Sequence, residues 1–255
     1  VTASVSVDAL YEGPRGSANG GLAGGVLAAL VPGGGEAGAG AAASGIEVTL
    51  RAPVPLGAPL RVEQAGAGEA SAAGAAGGLV VLDGAALVAE VRALPLAGLD
   101  DDAVPRLSRA AAEAAHLPPG HPHDSCFVCG TAVPGGLDLQ PRQGPRLPSG
   151  LHLWTAPFDA RPDLCDAGRL RTAIAWGLLD CIGSWAPLDG LPPMGLRTGR
   201  LHAALRAPIA TDERGVVVAW LEGGERRKRL VASAVLGEDG GVRAVARCTW
   251  ILPRE

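Results

Sequence analysis

The sequence predicts an α+β protein built twice over, with two curled antiparallel sheets each wrapped around a central helix. The first observation is a repeat. LRAPV at 50–54 recurs as LRAPI at 205–209, and the same offset of 155 lays LVAEVRAL (87–94) on VRAVARCT (242–249), including Arg92 on Arg247. Two matches in one register mark an internal duplication. The second is order: each half places a long apolar helix ahead of a run of alternating strands, and such a helix has to be covered by sheet. The third is that both helices are apolar nearly all round, as a helix enclosed by sheet must be.

The elements follow in parallel. The first half opens with an alternating strand, Val1-Ala3-Val5-Val7, and a helix from about Gly20 to Val31. Then come the strands IEVTLRAPV, PLRVEQAG, GLVVLDG and ALVAEVRAL, the last two joined by a turn at Asp83-Gly84. The second half repeats this order with LHLWTAPF, the helical LRTAIAWGLLDCIGSWA, GRLHAALRAPI, GVVVAWLEGG, KRLVASAVLG and VRAVARCTWIL, with EDGG at 238–241 as the matching turn. Residues 1–98 and 125–255 thus form two units. Residues 99–124 form a linker with a short polar helix from about Pro105 to His116, expected to tie the units together without adding a core.

Composition narrows the function. The chain has 255 residues, 47% hydrophobic, with 22 Lys and Arg against 26 Asp and Glu. That balance gives no sustained positive field, and two Phe and one Tyr leave little for base stacking, so nucleic acid is not an expected partner. The apolar run Leu22 to Val31 is too short for a membrane span, and VTASVSVDAL shows neither the charged nor the apolar region of a secretory signal, so a cytoplasmic protein is expected. Five unevenly spaced cysteines read as reduced thiols, three of them (Cys165, Cys181, Cys248) standing alone in their segments.

The segments NGGLAGGVLAAL, LRAPVPLGAPLRVE, CFVCG with GLDLQP after it, WGLLDCIGSWA and TGRLHAALRAPI, in this order, resemble the double hotdog fold of acyl-CoA thioesterase-like proteins over nearly the whole chain. The resemblance implies an acyl thioester on coenzyme A or a carrier protein as substrate, no cofactor, and a homodimer of double units paired at sheet edges. The same scaffold also serves dehydratases, cyclases acting on acyl or polyketide-like chains, and non-catalytic acyl-binding proteins.

Within that frame Gly20 and Gly21 open a helix, where bare N–H groups would form an oxyanion hole and glycine admits a carbonyl closely. The competing reading is that the glycines merely permit tight packing of the helix on the sheet. Asn19 is a helix N-cap, a substrate ligand, or both. Asp180 is the one acid between Asp166 and Asp189, on the otherwise apolar face of Leu170, Ile174, Leu178, Cys181, Ile182 and Trp185. A buried carboxylate is costly unless hydrogen-bonded or used, and burial raises its pKa towards general-base range. The resemblance makes Asp180 the general base or nucleophile, facing Asn19-Gly20-Gly21 of the other unit in one composite site. An Asp held by hydrogen bonds purely to fix the fold is the competing reading. The offset of 155 sets Gly25 against Asp180, so the first helix lacks an equivalent acid. Trp176, Thr198, Arg200, Arg227 and Lys228 are candidate substrate contacts; the last two sit in GERRKRL, where cations would meet coenzyme A phosphates or simply solvate a hairpin.

Other chemistries lack their motifs. CFVCG at 126–130, with His121 and His123 before it, offers a compressed zinc set, but no second CxxC or HxxxH follows, and the segment reads as a packed turn with no metal. A redox CxxC lacks its βαβ context. The glycine-rich 32–45 follows a helix instead of joining a strand to one, so it is a loop, not a dinucleotide fingerprint.

Overall fold

A computed structural model describes residues 3–34, 44–65, 78–120, 124–188 and 195–254. Most of the glycine-rich loop, Val1, and His121 and His123 of the compressed zinc set lie outside the described residues. The strands are β1 (Ala3–Val5), β2 (Ser44–Leu50), β3 (Leu60–Gln64), β4 (Leu79–Asp83), β5 (Ala86–Pro95), β6 (Arg142–Arg146), β7 (His152–Asp159), β8 (Cys165–Asp166), β9 (Arg169–Leu170), β10 (Arg197–Leu205), β11 (Arg214–Glu225), β12 (Lys228–Leu236) and β13 (Val242–Ile251). The helices are α1 (Gly20–Ala28), α2 (Arg109–Ala114) and α3 (Thr172–Gly183). The expected elements are present, the helices shorter than expected and several strands shifted or extended by one or two residues at an end; β6 and the short β8–β9 pair are additional. The first hairpin turns at Gly84-Ala85, one residue later than the sequence implied, with Asp83 paired to Ala86 and Gly84 at φ 59°.

One expectation changes. Among the described residues the two expected sheets are one antiparallel sheet of eleven strands, ordered β1-β3-β4-β5-β2-β10-β13-β12-β11-β7-β6, with β8 and β9 pairing separately. The halves join where β2 pairs with β10, from Ile46 opposite Ala203 to Thr49 opposite Arg200. Each of these strands is the would-be edge of its own half, and pairing satisfies the backbone groups that an exposed edge would leave open. The free edges are β1, three residues long, and β6, which carries Pro145.

The repeat is exact where β2 meets β5 and β10 meets β13. Leu50 faces Ala89 and, 155 residues on, Leu205 faces Ala244. The helices follow a different offset: Ala18 N–H donates to Val54 O at 2.9 Å and Leu170 N–H to Ile209 O at 2.8 Å, so helix starts are related by 152 residues. The difference is matched by length, since α3 has 12 residues and α1 has 9. The sequence reading that set Gly25 against Asp180 is therefore corrected. Gly25 corresponds to Gly177, and the counterpart of Asp180 is Ala28.

The sheet curls around α1 and α3, which pack on each other and bury Leu22, Leu27, Ile174, Leu178 and Trp185. The crossing is close enough that backbone meets backbone. A methyl added at Gly25 would stand 2.6 Å from Ala173 Cα, and one added at Gly21 would stand 2.9 Å from Gly177 Cα.

The linker also departs from expectation. Leu99, Val104 and Ala112, with Leu96 just before them, pack on the outer face of the second half against Val216, Val218, Ala232 and Ala234, forming a second core. Arg109 in α2 pins it, donating to Phe158 O and Asp159 at 2.8 and 2.7 Å. In the sequence 99–124 looks like polar linker because its apolar positions are too few and too spaced to show a period.

Replacing Gly25 with Ala is expected to cost about 1–3 kcal/mol by overpacking the helix crossing. Gly223→Ala, which meets nothing within 4 Å, should leave stability near wild type. Urea unfolding of both variants checks this.

Candidate active site

Asp180 sits two turns into α3 and is 2% exposed. Its carboxylate accepts the Gly21 N–H at Oδ2 (2.9 Å) and the Thr198 hydroxyl at Oδ1 (2.9 Å), while the Cys248 thiol approaches Oδ1 at 3.7 Å. All three donors are neutral. Thr198 reaches inward because the β10–β13 ladder shifts register between Thr198 and Arg200, a bulge that re-aims the side chain. Gly20 makes room for it: a methyl there would stand 2.6 Å from Thr198 Oγ1.

Burial raises the Asp180 pKa from 3.8 to about 7, the three hydrogen bonds opposing it only in part. The half-ionised carboxylate near neutrality can take a proton from a nucleophile. Burial likewise pushes the Cys248 thiol up, with the Asp180 charge adding to it.

The site is composite in geometry. Asp180 and Thr198 come from the second half, and Asn19, Gly20 and Gly21 from the first. Asn19 caps α1, its Oδ1 accepting the Leu22 N–H at 3.0 Å, and its Nδ2 points at Cys126 Sγ, 3.6 Å away. The two glycines part company. The Gly21 amide is engaged by Asp180, so it holds the carboxylate and is not free for a substrate oxygen. The Gly20 amide, first in the helix, has no intrahelical acceptor and borders the pocket.

That pocket, about 320 Å³, is bounded by Asn19, Gly20, Asp180, Thr198, Ser184, Trp185 and Trp250, with Arg51 and Arg197 exposed at its rim. Trp250 is 5% exposed and its indole N–H has no acceptor among the described residues. Of the other candidates, Trp176 is buried between the helices against Gly24 and lies outside the pocket wall. Arg200 pairs with Glu47 at 3.3 Å. Arg227 donates to Leu252 O at 2.8 Å, and neither it nor Lys228 borders the pocket. Arg51, Arg197, Trp185, Ser184 and Trp250 were missed, since nothing local in the sequence separates a rim or wall residue from an ordinary strand residue.

CFVCG is a buried turn, as expected, but not a solitary one. Phe127 N–H donates to Glu12 O at 2.8 Å and its ring packs on Tyr11, so this stretch of the second half is bonded to the first. Cys181, read as standing alone, lies 2.7 Å from Cys129 and 3.9 Å from Cys126 by sulfur.

The related position in the other half is a cleft bordered by Leu170, Arg171, Thr172, Leu205 and Pro208, the counterparts of Ala18, Asn19, Gly20, Leu50 and Pro53. At the position equivalent to Asp180, α1 carries Ala28, which does not border this cleft.

No protein-family model and no curated protein matches the chain. Solved structures do. A thioesterase candidate from Novosphingobium aromaticivorans is 13% identical, with 99% of this chain and 95% of that one covered at a TM-score of 0.62. A hot dog fold protein of unknown function from Alicyclobacillus acidocaldarius is 15% identical over 100% and 94%, at 0.62. The tesB protein of Mycobacterium avium subs paratuberculosis is 7% identical over 99% and 93%, at 0.64. At these identities the likeness establishes the fold: the chain has the hotdog fold, with one large antiparallel sheet curled around its helices. Among the described residues no helix is long and apolar enough to cross a membrane.

Because the folded-state pKa of Asp180 exceeds the unfolded value, its contribution to stability is lost as pH rises from about 4 through about 7. Asp180→Asn keeps the Gly21 bond at its oxygen and carries no charge to bury. It is expected to gain stability over wild type at pH 8 by about 1–2 kcal/mol, or about 2–4 °C per kcal/mol for a chain of this size, and to lose that gain towards pH 4. Melting curves at both pH values check this.

Proposed function

We propose that the protein is a tandem hotdog enzyme that hydrolyses an acyl thioester at the composite site between its halves. One observation carries the reading. A buried carboxylate with only neutral hydrogen-bond donors sits beside the N-terminus of a helix from the other half, inside an apolar pocket with cations at its rim. The fold shared with structures described as thioesterases supports it.

Asp180 acts as general base. Gly21 and Thr198 each hold one of its oxygens, and the carboxylate takes a proton from a water that attacks the thioester carbonyl carbon. The oxygen that becomes negative is met by the Gly20 N–H at the positive end of α1. Collapse of the tetrahedral intermediate breaks the C–S bond, and the leaving thiolate recovers the proton from Asp180. Arg197, and on the same rim Arg51, which also pairs with Glu90 at 2.6 Å, suit the phosphates of coenzyme A or of a carrier's pantetheine arm, by charge-assisted hydrogen bonds. The acyl chain runs along Trp185 and Trp250. The soluble, cytoplasmic setting and the dimer paired at sheet edges belong to the same reading.

Thiol release from short, medium and aromatic acyl-CoAs, followed with Ellman reagent, tests it. Wild type is expected to turn over at least one of them, and Asp180→Asn to lose about 100-fold or more in kcat, a loss of about 2.7 kcal/mol in transition-state stabilisation. Thr198→Val is expected to lose about 10-fold, by freeing one carboxylate oxygen. No release from any acyl-CoA or acyl-carrier substrate by folded wild type overturns the hydrolytic reading; saturable acyl-CoA binding without turnover then marks a binding protein.

A further inference from the structure

Three cysteines converge from segments far apart in the chain. Cys126 and Cys129 come from the 126–130 turn and Cys181 from α3, all three are buried, and their sulfurs lie within 4.8 Å of one another. We propose that they form a trithiolate site for a divalent zinc ion, with a solvent molecule from the adjoining pocket as fourth ligand.

The turn is shaped for this. Gly130 N–H closes it by donating to Cys126 O at 2.7 Å. Asn19 Nδ2 donates to Cys126 Sγ at 3.6 Å. A donor on a sulfur stabilises a thiolate, which is the form that ligates metal. Around a tetrahedral zinc with Zn–S bonds of about 2.3 Å, sulfurs stand about 3.8 Å apart. Cys126 and Cys181 are already at 3.9 Å. Cys129 and Cys181, at 2.7 Å, lie between that spacing and the length of a disulfide. A Cys129–Cys181 disulfide would leave Cys126, and the Asn19 amide aimed at it, without a purpose, whereas a metal uses all three sulfurs. A divalent cation also offsets most of the charge that thiolates would build up beside Asp180.

Sequence spacing misses this site because the third ligand comes from a helix, 52 residues beyond the turn. Its consequence is mechanical. The metal would fix the turn, which also bonds Glu12 and packs on Tyr11, against α3 one residue from Asp180.

The test is metal content of the full chain, purified under reducing conditions without chelator and passed through gel filtration. About one zinc per chain is expected, and Cys126→Ser and Cys181→Ser should each lose it while keeping the circular dichroism of the folded protein. In case a variant fails to fold, wild type stripped of metal and titrated with cobalt(II) gives a separate reading. The expected result is a stoichiometric end-point with the intense visible bands of tetrahedral cobalt and thiolate-to-cobalt charge transfer in the near ultraviolet. Zinc well below stoichiometry together with no cobalt spectrum overturns the proposal, as does a Cys129–Cys181 disulfide recovered by mass spectrometry from the reduced preparation. Neither readout depends on thioester turnover, so the site and the enzymatic reading fail separately.

Discussion

Where α1 crosses α3 there is no side chain between the backbones, and the rest of the molecule is arranged around that contact. Gly21 and Gly25 on one helix meet Gly177 and Ala173 on the other. Glycine is a poor helix former, costing about 1 kcal/mol per residue against Ala in a helix interior, so four in a nine-residue helix and two in a twelve-residue one make the helices dependent on what packs on them. Tertiary packing supplies the support. The short interhelical distance brings the Gly21 N–H within 2.9 Å of a carboxylate on the opposing helix, a contact that bulkier residues would hold apart.

That contact determines the electrostatics of Asp180. The group is withdrawn from water and given three weak or neutral donors in place of a cation. An Arg or Lys partner would hold it ionised far below neutrality and leave it a poor base, while an apolar pocket without donors would hold it protonated. The arrangement found lies between these limits, which is why its pKa settles near 7.

The fold was legible in the sequence because duplication, alternation and apolar helices are each periodic signals, and they agree. What escaped was non-local. The join of β2 to β10 depends on which edges meet, and nothing in either strand's own pattern says so. The three-residue difference between helix and strand offsets was hidden because only the strands retain recognisable identities, LRAPV and LRAPI. In the site, Asp180, Asn19 and Gly20 stood out because each breaks a local rule, an acid on an apolar face or glycines at a helix start. Thr198 was flagged by its place in the chain. Gly21 was flagged for the wrong partner, since its amide serves the carboxylate. Arg51, Arg197 and Trp250 broke no rule and became visible only through the pocket they share. Cys181 was set aside as a lone thiol because its neighbours come from another part of the chain.

One chain whose halves carry different sequences is released from a constraint that binds symmetric dimers. In a homodimer every substitution appears twice, so a carboxylate placed on one helix appears on its mate as well, and its desolvation is incurred at both interfaces. Here the halves are covalently one chain with separate sequences. Ala28 could stay apolar where its counterpart became Asp180, and Arg171 could occupy the position that Asn19 holds in the other half. One side keeps the acid and the other keeps the glycines that admit it, a division of labour open only to a duplicated chain.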